Sequence, residues 1–298
     1  MKETGSIRFD DQVVAISGAG RGLGRAFSLA LAERGAKLIL LDNGCDSRGQ
    51  GRDPALVHEV AALMQDLDGE ALPMCVDVTD YQALSEALAA GIAHFGRLNA
   101  VVACAGILIP QQAPCDLDEY RRMMEINHFG TVNLVHAAME QLQANRGHIV
   151  VCSGFSGLYG DRDLGGYGAS MMANRGFMLS VAQRMEEAGI RCNALCPSAS
   201  TRMVEKLYTG EQHQKLQISA VVPALLYLLS RDAPNGATLT AAAGQFTLAR
   251  TVETHGIRLK PENLRPEELC LAWDELDSES VVTPYPSFRE RVRRLFQR

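Results

Sequence analysis

The stretch Ile16-Ser17-Gly18-Ala19-Gly20-Arg21-Gly22-Leu23-Gly24 constrains this chain more than any other. The apolar run Val13-Val14-Ala15-Ile16 leads into it, and apolar positions at helical spacing from Leu23 to Arg34 lead out. The order is therefore strand, tight glycine turn, helix. Gly18 permits the sharp turn off the strand. Gly22 lets backbone approach a pyrophosphate, and Gly24 lets the helix lie close on the strand. The helix N-terminus then offers free N–H groups and the positive end of its dipole to phosphate. Arg21 and Leu23 sit within the turn and count with the glycines as cofactor-contacting positions. A second strand, Lys37 to Leu41, ends in Asp42, whose carboxylate can accept from a ribose 2′-hydroxyl. The spacing is G-x-x-x-G-x-G, with Gly20 as an extra glycine. Strand, helix and acidic residue in register give the motif its weight.

A chain of 298 residues, 47% apolar and 21% charged, can bury a large core. Its formal charge of −6 argues against nucleic acid as a partner. No apolar run reaches the roughly 18 residues of a membrane span. The polar opening Met1 to Asp11 is not expected to act as a signal peptide. Cys75, Cys104, Cys152 and Cys192 fall inside apolar strand patterns, as small buried thiols of a reducing compartment do, and the expected location is cytoplasmic. There is no C-x-x-C pair and no H-E-x-x-H, and the histidines are scattered, so no metal is expected.

After Asp42 the polar, glycine-rich Asn43 to Asp53 reads as an inserted loop, and Pro54 opens a helix to Leu67. Ala71 to Val76 is a third strand, followed by Asp77 and Val78, where a carboxylate can meet an adenine amino group. Asp80 is the alternative cap for the helix Tyr81 to Phe95. Leu98 to Cys104 is a fourth strand, with Ala105-Gly106 after it. Leu117 to Leu142 reads as helix, but Asn127 and Gly130, both weak helix formers, predict a bend with a purpose. Strands at His148 to Cys152, Arg191 to Leu195 and Ala237 to Ala242 alternate with helices at Tyr167 to Glu187 and Val221 to Ser230. Ser153 to Gly166 is a glycine-rich loop, and Pro197 begins a substrate loop of about 197–220. This alternation predicts a three-layer, doubly wound α/β domain with a parallel sheet over residues 1–246. Residues 247–298 form a C-terminal extension with the only tryptophan, Trp273, and a basic end, Arg289 to Arg294. That end reads as a solvated helix face, and the extension is expected to pack across the sheet or a neighbouring subunit.

Taken together, Gly18, Gly22, Gly24, Asp42, Asp77, Ala105-Gly106, Asn127, Tyr167 and the loop after Pro197 resemble the short-chain dehydrogenase/reductase family. The resemblance covers about residues 7 to 245. Arg8-Phe9-Asp10, Leu31 through Ala36, the long loop after Asp42, Ser156 through Gly160 and Cys196 through Met203 are similar to the (3R)-hydroxyacyl-CoA dehydrogenase unit of peroxisomal multifunctional enzymes. The resemblance implies a Rossmann fold, hydride transfer between a nicotinamide and a carbonyl or alcohol, and oligomers built through helices 117–142 and 167–187. It also implies four chemical groups. A tyrosine passes the proton, and a lysine four residues later holds the ribose and lowers the phenol pKa. A serine thirteen residues before the tyrosine orients the substrate oxygen, and an asparagine holds a relay water. Tyr167 and Asn127 stand at two of these positions. The lysine position is Met171 and the serine position is Gly154. The family's Asn-Asn-Ala-Gly run is here Ala103-Cys104-Ala105-Gly106.

A neutral Met171 removes a cation that would favour the phenolate, so the expected Tyr167 pKa lies above that of a complete member. Ser153, Ser156, Arg162 and Asp163 are the nearby candidates to replace the missing serine, while Arg175 lies two helical turns from Tyr167. Asp42 favours NAD over NADP because a carboxylate repels a 2′-phosphate, although Arg21 pulls the other way. Three functions fit. One is an NAD-linked oxidoreductase with a rebuilt site for an apolar or acyl-type alcohol or ketone, its pocket drawing on Met203, Leu207, Tyr208, Ile218 and Val222. Another is a non-catalytic partner or structural pseudoenzyme, as a homo-oligomer or beside a complete paralogue. The third is a non-redox cyclase, dehydratase or isomerase using Tyr167, Asp161 or Asp163.

Overall fold

The computed structural model describes residues 5–66, 68–111, 116–204, 209–278 and 282–295. The chain divides into two compact units, Met1–Leu248 and Ala249–Arg298. The elements of the larger part are, in chain order, β1 (Val13–Ser17), α1 (Gly22–Ala32), β2 (Lys37–Leu41), α2 (Ala55–Gln65), β3 (Ala71–Met74), α3 (Tyr81–Phe95), β4 (Ala100–Ala103), α4 (Leu117–Met123), α5 (Gly130–Asn145), β5 (His148–Cys152), α6 (Phe155–Tyr159), α7 (Gly165–Arg184), β6 (Arg191–Ser198), α8 (Gly210–Lys215), α9 (Val222–Leu229), β7 (Thr238–Ala242) and β8 (Gln245–Ala249). Leu67, expected to end the second helix, lies outside the described residues, as do Leu207 and Tyr208.

The sheet order is β3-β2-β1-β4-β5-β6-β7-β8, and every pair from β3 to β7 is parallel. This is a single Rossmann-like α/β domain. Its strands alternate faces residue by residue. Val14, Ile16, Leu38 and Leu40 pack under α1, α2 and α9 with Phe27, Leu31, Met64 and Leu225. Val13, Ala15, Ile39 and Leu41 pack under α3, α5 and α7 with Leu84, Leu88, Leu134 and Met178. Strands covered on both faces are continuously apolar for this reason. Pro73 is tolerated because β3 is an edge strand. Beyond Leu195, β6 pairs with β7 alone, which leaves room for Pro197 and carries the strand three residues past its expected end at Leu195. Ala243 and Gly244, both at positive φ, make the two-residue turn into β8.

The order reverses between β1 and β4, and ligands of such sheets bind outside the carboxyl ends of the strands at that point. Two contacts fix the geometry there. Gly18, at φ +70, would bring a Cβ to 2.8 Å from the Ala105 backbone. A Cβ on Gly24 would stand 2.0 Å from the Gly18 carbonyl oxygen, so α1 can start where it does only with glycine at this position. Between α4 and α5, where a bend was expected, Met124–Phe129 form a turn of π-helix with Asn127 inside it.

In the smaller unit, β9 (Val252–Thr254) pairs antiparallel with β10 (Val282–Pro284), and α10 (Pro266–Leu271), α11 (Trp273–Leu276) and α12 (Phe288–Leu295) are short helices. Arg291 of α12 donates through Nε to both carboxylate oxygens of Glu253 and lies over the Tyr285 ring with Arg294. Among the described residues no helix is long and apolar enough to cross a membrane.

At the other end of the sheet, His148 opens β5. Burial first, and Arg191 second, push its pKa down from 6.5 to about 4. The folded state therefore prefers the neutral ring, while the unfolded chain takes up a proton near its ordinary pKa. Stability from this residue is complete above pH 6.5 and is lost as pH falls toward 4. Denaturant melts of the native protein should lose up to about 3 kcal/mol over that window, and His148→Asn should flatten that slope.

Candidate active site

A cavity of about 450 Å³ opens at the carboxyl ends of β1 to β4. Its lining includes Gly18, Arg21, Gly22, Leu23, Gly24, Asp42, Asp77, Val78, Ala105 and Gly106, so the cofactor-contacting positions expected from the sequence converge, with one exception. Pro197, expected to open a loop, lies inside β6 and outside this lining, to which the following loop contributes Ser200, Thr201, Arg202 and Met203. Helix α1 has no side-chain cap at Arg21, so its first-turn N–H groups are available to a ligand. Gly22, at φ +54, would place a Cβ no nearer than 3.5 Å to Thr201, which leaves open space over the helix terminus. An anion fits there.

Hydrogen bonds hold the rim in shape. Ser17 Oγ accepts from the N–H groups of Cys104 and Ala105, at 3.1 and 3.2 Å, and ties the loop after β4 to β1. The Asp42 carboxylate accepts from the N–H of Gly20 at 2.8 Å and of Gly44 at 2.7 Å. Asp77 accepts from Asn43 Nδ2 and from Thr79, while the cap of α3 falls to Asp80 through the Ala83 N–H. Arg21 and Arg202 both donate to the Cys45 carbonyl. Burial and the neighbouring Arg21 push the Arg202 guanidinium below its ordinary pKa. The two cations meet at one carbonyl, with the carboxylates of Asp42, Asp46 and Asp77 in the same lining. Asn43, Ser200 and Arg202 went unread in the sequence as single residues; Asn43 lies just past β2, and the other two lie in the loop after β6.

The inserted loop is built rather than slack. Asp46 Oδ1 accepts from the N–H groups of Arg48 and Gln50, Arg48 pairs with Glu119 of α4, and a Cβ on Gly49 would meet Ile126 at 2.6 Å. The loop thus spans from the cavity rim to the π-turn.

The second group of expected residues lies outside the lining of that cavity. Tyr167, half-buried in the first turn of α7, packs on Ile107, Ile109 and Met123. A Cβ on Gly154 would stand 3.5 Å from the Tyr167 hydroxyl oxygen and 3.2 Å from Met171 Cγ. Met171 is 4% exposed. Phenol, thioether and the bare Gly154 backbone are therefore one contact set. Ser153 does not fill the gap, because its hydroxyl donates to the Met171 carbonyl at 2.8 Å. Ser156 Oγ is shielded from solvent and bonded to nothing among the described residues. Asp161, Arg162 and Asp163 are exposed and engaged with one another. Arg175 donates to Thr238 on β7.

Asn127 is fully buried and works as a clamp. Its Oδ1 accepts from the Ile107 N–H at 2.7 Å, and its Nδ2 donates to the Ile107 carbonyl at 2.9 Å and to Ser170 Oγ at 3.0 Å. Its own carbonyl accepts from Thr131 Oγ1 and from Asn174 Nδ2. Asn174 also donates to the Cys152 carbonyl and meets His128 Nδ1. Ser170 and Asn174 were missed in the sequence. With Tyr167 and Met171 they form an i, i+3, i+4, i+7 stripe on α7, a signal available in the spacing.

A model of the short chain dehydrogenase family matches residues 12–212. The chain belongs to this family. It is 30% identical over 275 residues to mouse peroxisomal multifunctional enzyme type 2, covering 91% of this chain and 37% of that protein. It is 28% identical over 276 residues to peroxisomal multifunctional enzyme A of Dictyostelium discoideum, covering 92% and 62%. The chain therefore spans less than two thirds of either relative's length. Carveol dehydrogenase from Mycobacterium avium, solved in complex with NAD, superposes with a TM-score of 0.74 at 27% identity over 80% of this chain and 99% of that one. The likeness to peroxisomal enzymes overturns the expected cytoplasmic location, which rested on thiols and a polar N-terminus alone.

Replacing Asn127 by alanine would strand both the N–H and the carbonyl of Ile107 in a buried place. Urea denaturation of Asn127→Ala should show a loss of about 2–4 kcal/mol.

Proposed function

We propose that this chain is an NAD(H)-binding member of its family in which packing has replaced the proton-transfer half, so that it holds the dinucleotide with little hydride-transfer turnover. Support for binding comes from the open N-terminus of α1, the glycine cradle, and Asp42, which favours a free ribose hydroxyl over a 2′-phosphate. Arg21 and Arg202 would stand near the dinucleotide's charged oxygens. Bound nicotinamide supplies a hydride or accepts one.

The observation that carries the reading is Met171, buried against the position of Gly154 beside the Tyr167 phenol. On this reading Met171 and Gly154 take the places of the family's lysine and serine. A free tyrosine has a pKa near 10, and a thioether provides neither charge nor donor to lower it. Asn127 is bound to protein groups through amide and carbonyl, which takes it out of a water relay. Losing positioned acid–base groups costs about a hundredfold to ten-thousandfold in rate. The chain then serves as a nucleotide-holding subunit beside a second copy or a complete paralogue, through the faces of α5 and α7. A peroxisomal setting is part of the reading, by likeness to the relatives. A second reading, slow turnover of an apolar or acyl-type alcohol or ketone, is favoured by the Ile107, Ile109 and Met123 cluster beside Tyr167.

Titration with NADH and NADPH, followed by nucleotide fluorescence, should show saturable binding with NADH preferred and negligible turnover on a panel of ketones. Met171→Lys combined with Gly154→Ser should raise turnover by about a hundredfold. Absence of NADH binding at millimolar concentration would sink the binding claim. Brisk ketone reduction by the native chain would sink the claim of a disabled site.

A further inference from the structure

At the opposite end of the sheet from the glycine turn, the first residues of β5 and β6 border another cavity, of about 500 Å³. His148 and Arg191 open those strands and pair in register. Arg146, the left-handed residue that ends α5, and Arg231, just past α9, complete a cationic wall. The Arg191 guanidinium is anchored, because Nη1 donates to the Arg231 carbonyl. The stem of Arg146 lies across Gly189, where an added Cβ would stand 3.3 Å from its Cδ. A left-handed helix cap ordinarily takes glycine or asparagine, and here it holds a long cation instead.

Among the described residues, none of Arg146, Arg191 and Arg231 forms an ion pair with a carboxylate. Glu186 is the one acid in the lining and is exposed. Three guanidiniums against one carboxylate is a marked local excess on a chain of net charge −6. His148 Nε2 is shielded from solvent and has no hydrogen-bond partner among the described residues, and the ring is neutral at pH 7. Asn235 shapes the wall without competing, because its amide accepts from the Cys192 N–H and donates to the Ala182 carbonyl, at 3.0 Å each.

Planar guanidinium forks around one cavity suit the several oxygens of a phosphoryl group. We propose that this cavity binds a phosphoryl-bearing anion, independently of the dinucleotide cavity at the other end of the strands. Inorganic phosphate and phosphomonoesters share the recognising chemistry, and the cavity has room for an organic substituent.

The test is an NMR titration of the full chain at pH 7, reading the His148 ring signal against added inorganic phosphate or glycerol 3-phosphate, with chloride of equal ionic strength as control. A saturable shift with either phosphate and none with chloride is expected. Tighter binding of glycerol 3-phosphate assigns the ligand as a phosphomonoester, and tighter binding of phosphate assigns the free ion. Arg146→Gly with Arg231→Gln should weaken binding by about a hundredfold, while NADH binding stays as in the native chain. Arg146→Gly keeps the left-handed cap, and Arg231→Gln keeps the carbonyl that anchors Arg191. No saturable shift at about 50 mM phosphate, or the same shift in the double variant, would overturn the proposal.

Discussion

The Gly18 carbonyl and the start of α1 occupy nearly the same space. A single methyl group on Gly24 would be driven to 2.0 Å from that oxygen. Because the helix begins hard against the strand it follows, its uncapped N–H groups sit at the edge of β1 rather than out in solvent. The switch in strand order between β1 and β4 then leaves a crevice directly in front of them. Ser17 reaches sideways to hold the loop after β4, and Asp42 reaches back to hold Gly20, so the crevice walls are referenced to the same turn. Nucleotide binding, as proposed, needs nothing further from the fold than this arrangement.

The other half of the site obeys a different logic. Around Asn127 the structure trades reactive groups for satisfied ones. The π-turn brings the amide level with Ile107, where it closes a two-way bond to backbone, and Asn174 and Thr131 occupy its carbonyl. A buried polar network of this kind is rigid when complete and costly when broken. On the proposed reading it keeps a shape rather than passing protons.

The sheet was legible because strands covered on both faces must be apolar throughout, and because the glycine turn, Asp42 and Asp77 fall at strand ends where their spacing is fixed. The bend at Asn127 was legible as a weakness in a helix, but its form was not: a π-turn depends on what the side chain finds, and Ile107 is 20 residues away. Ser153 shows the limit most clearly. In the sequence it neighbours Gly154 and offers a hydroxyl. In the fold, β5 places it under α7, where its hydroxyl donates to the Met171 carbonyl. Pro197 misled for a similar reason, since whether a strand ends depends on its neighbours, and β7 outlasts β5 at that point.

The crowding at Gly154 also bears on how such a site changes over generations. A change at 154 and a change at 171 meet in the same few cubic ångströms, so neither position changes alone. Sterics couple the two positions. A serine Cβ at 154 would stand 3.2 Å from Met171 Cγ, so the side chain at 171 has to give by a few tenths of an ångström to admit it.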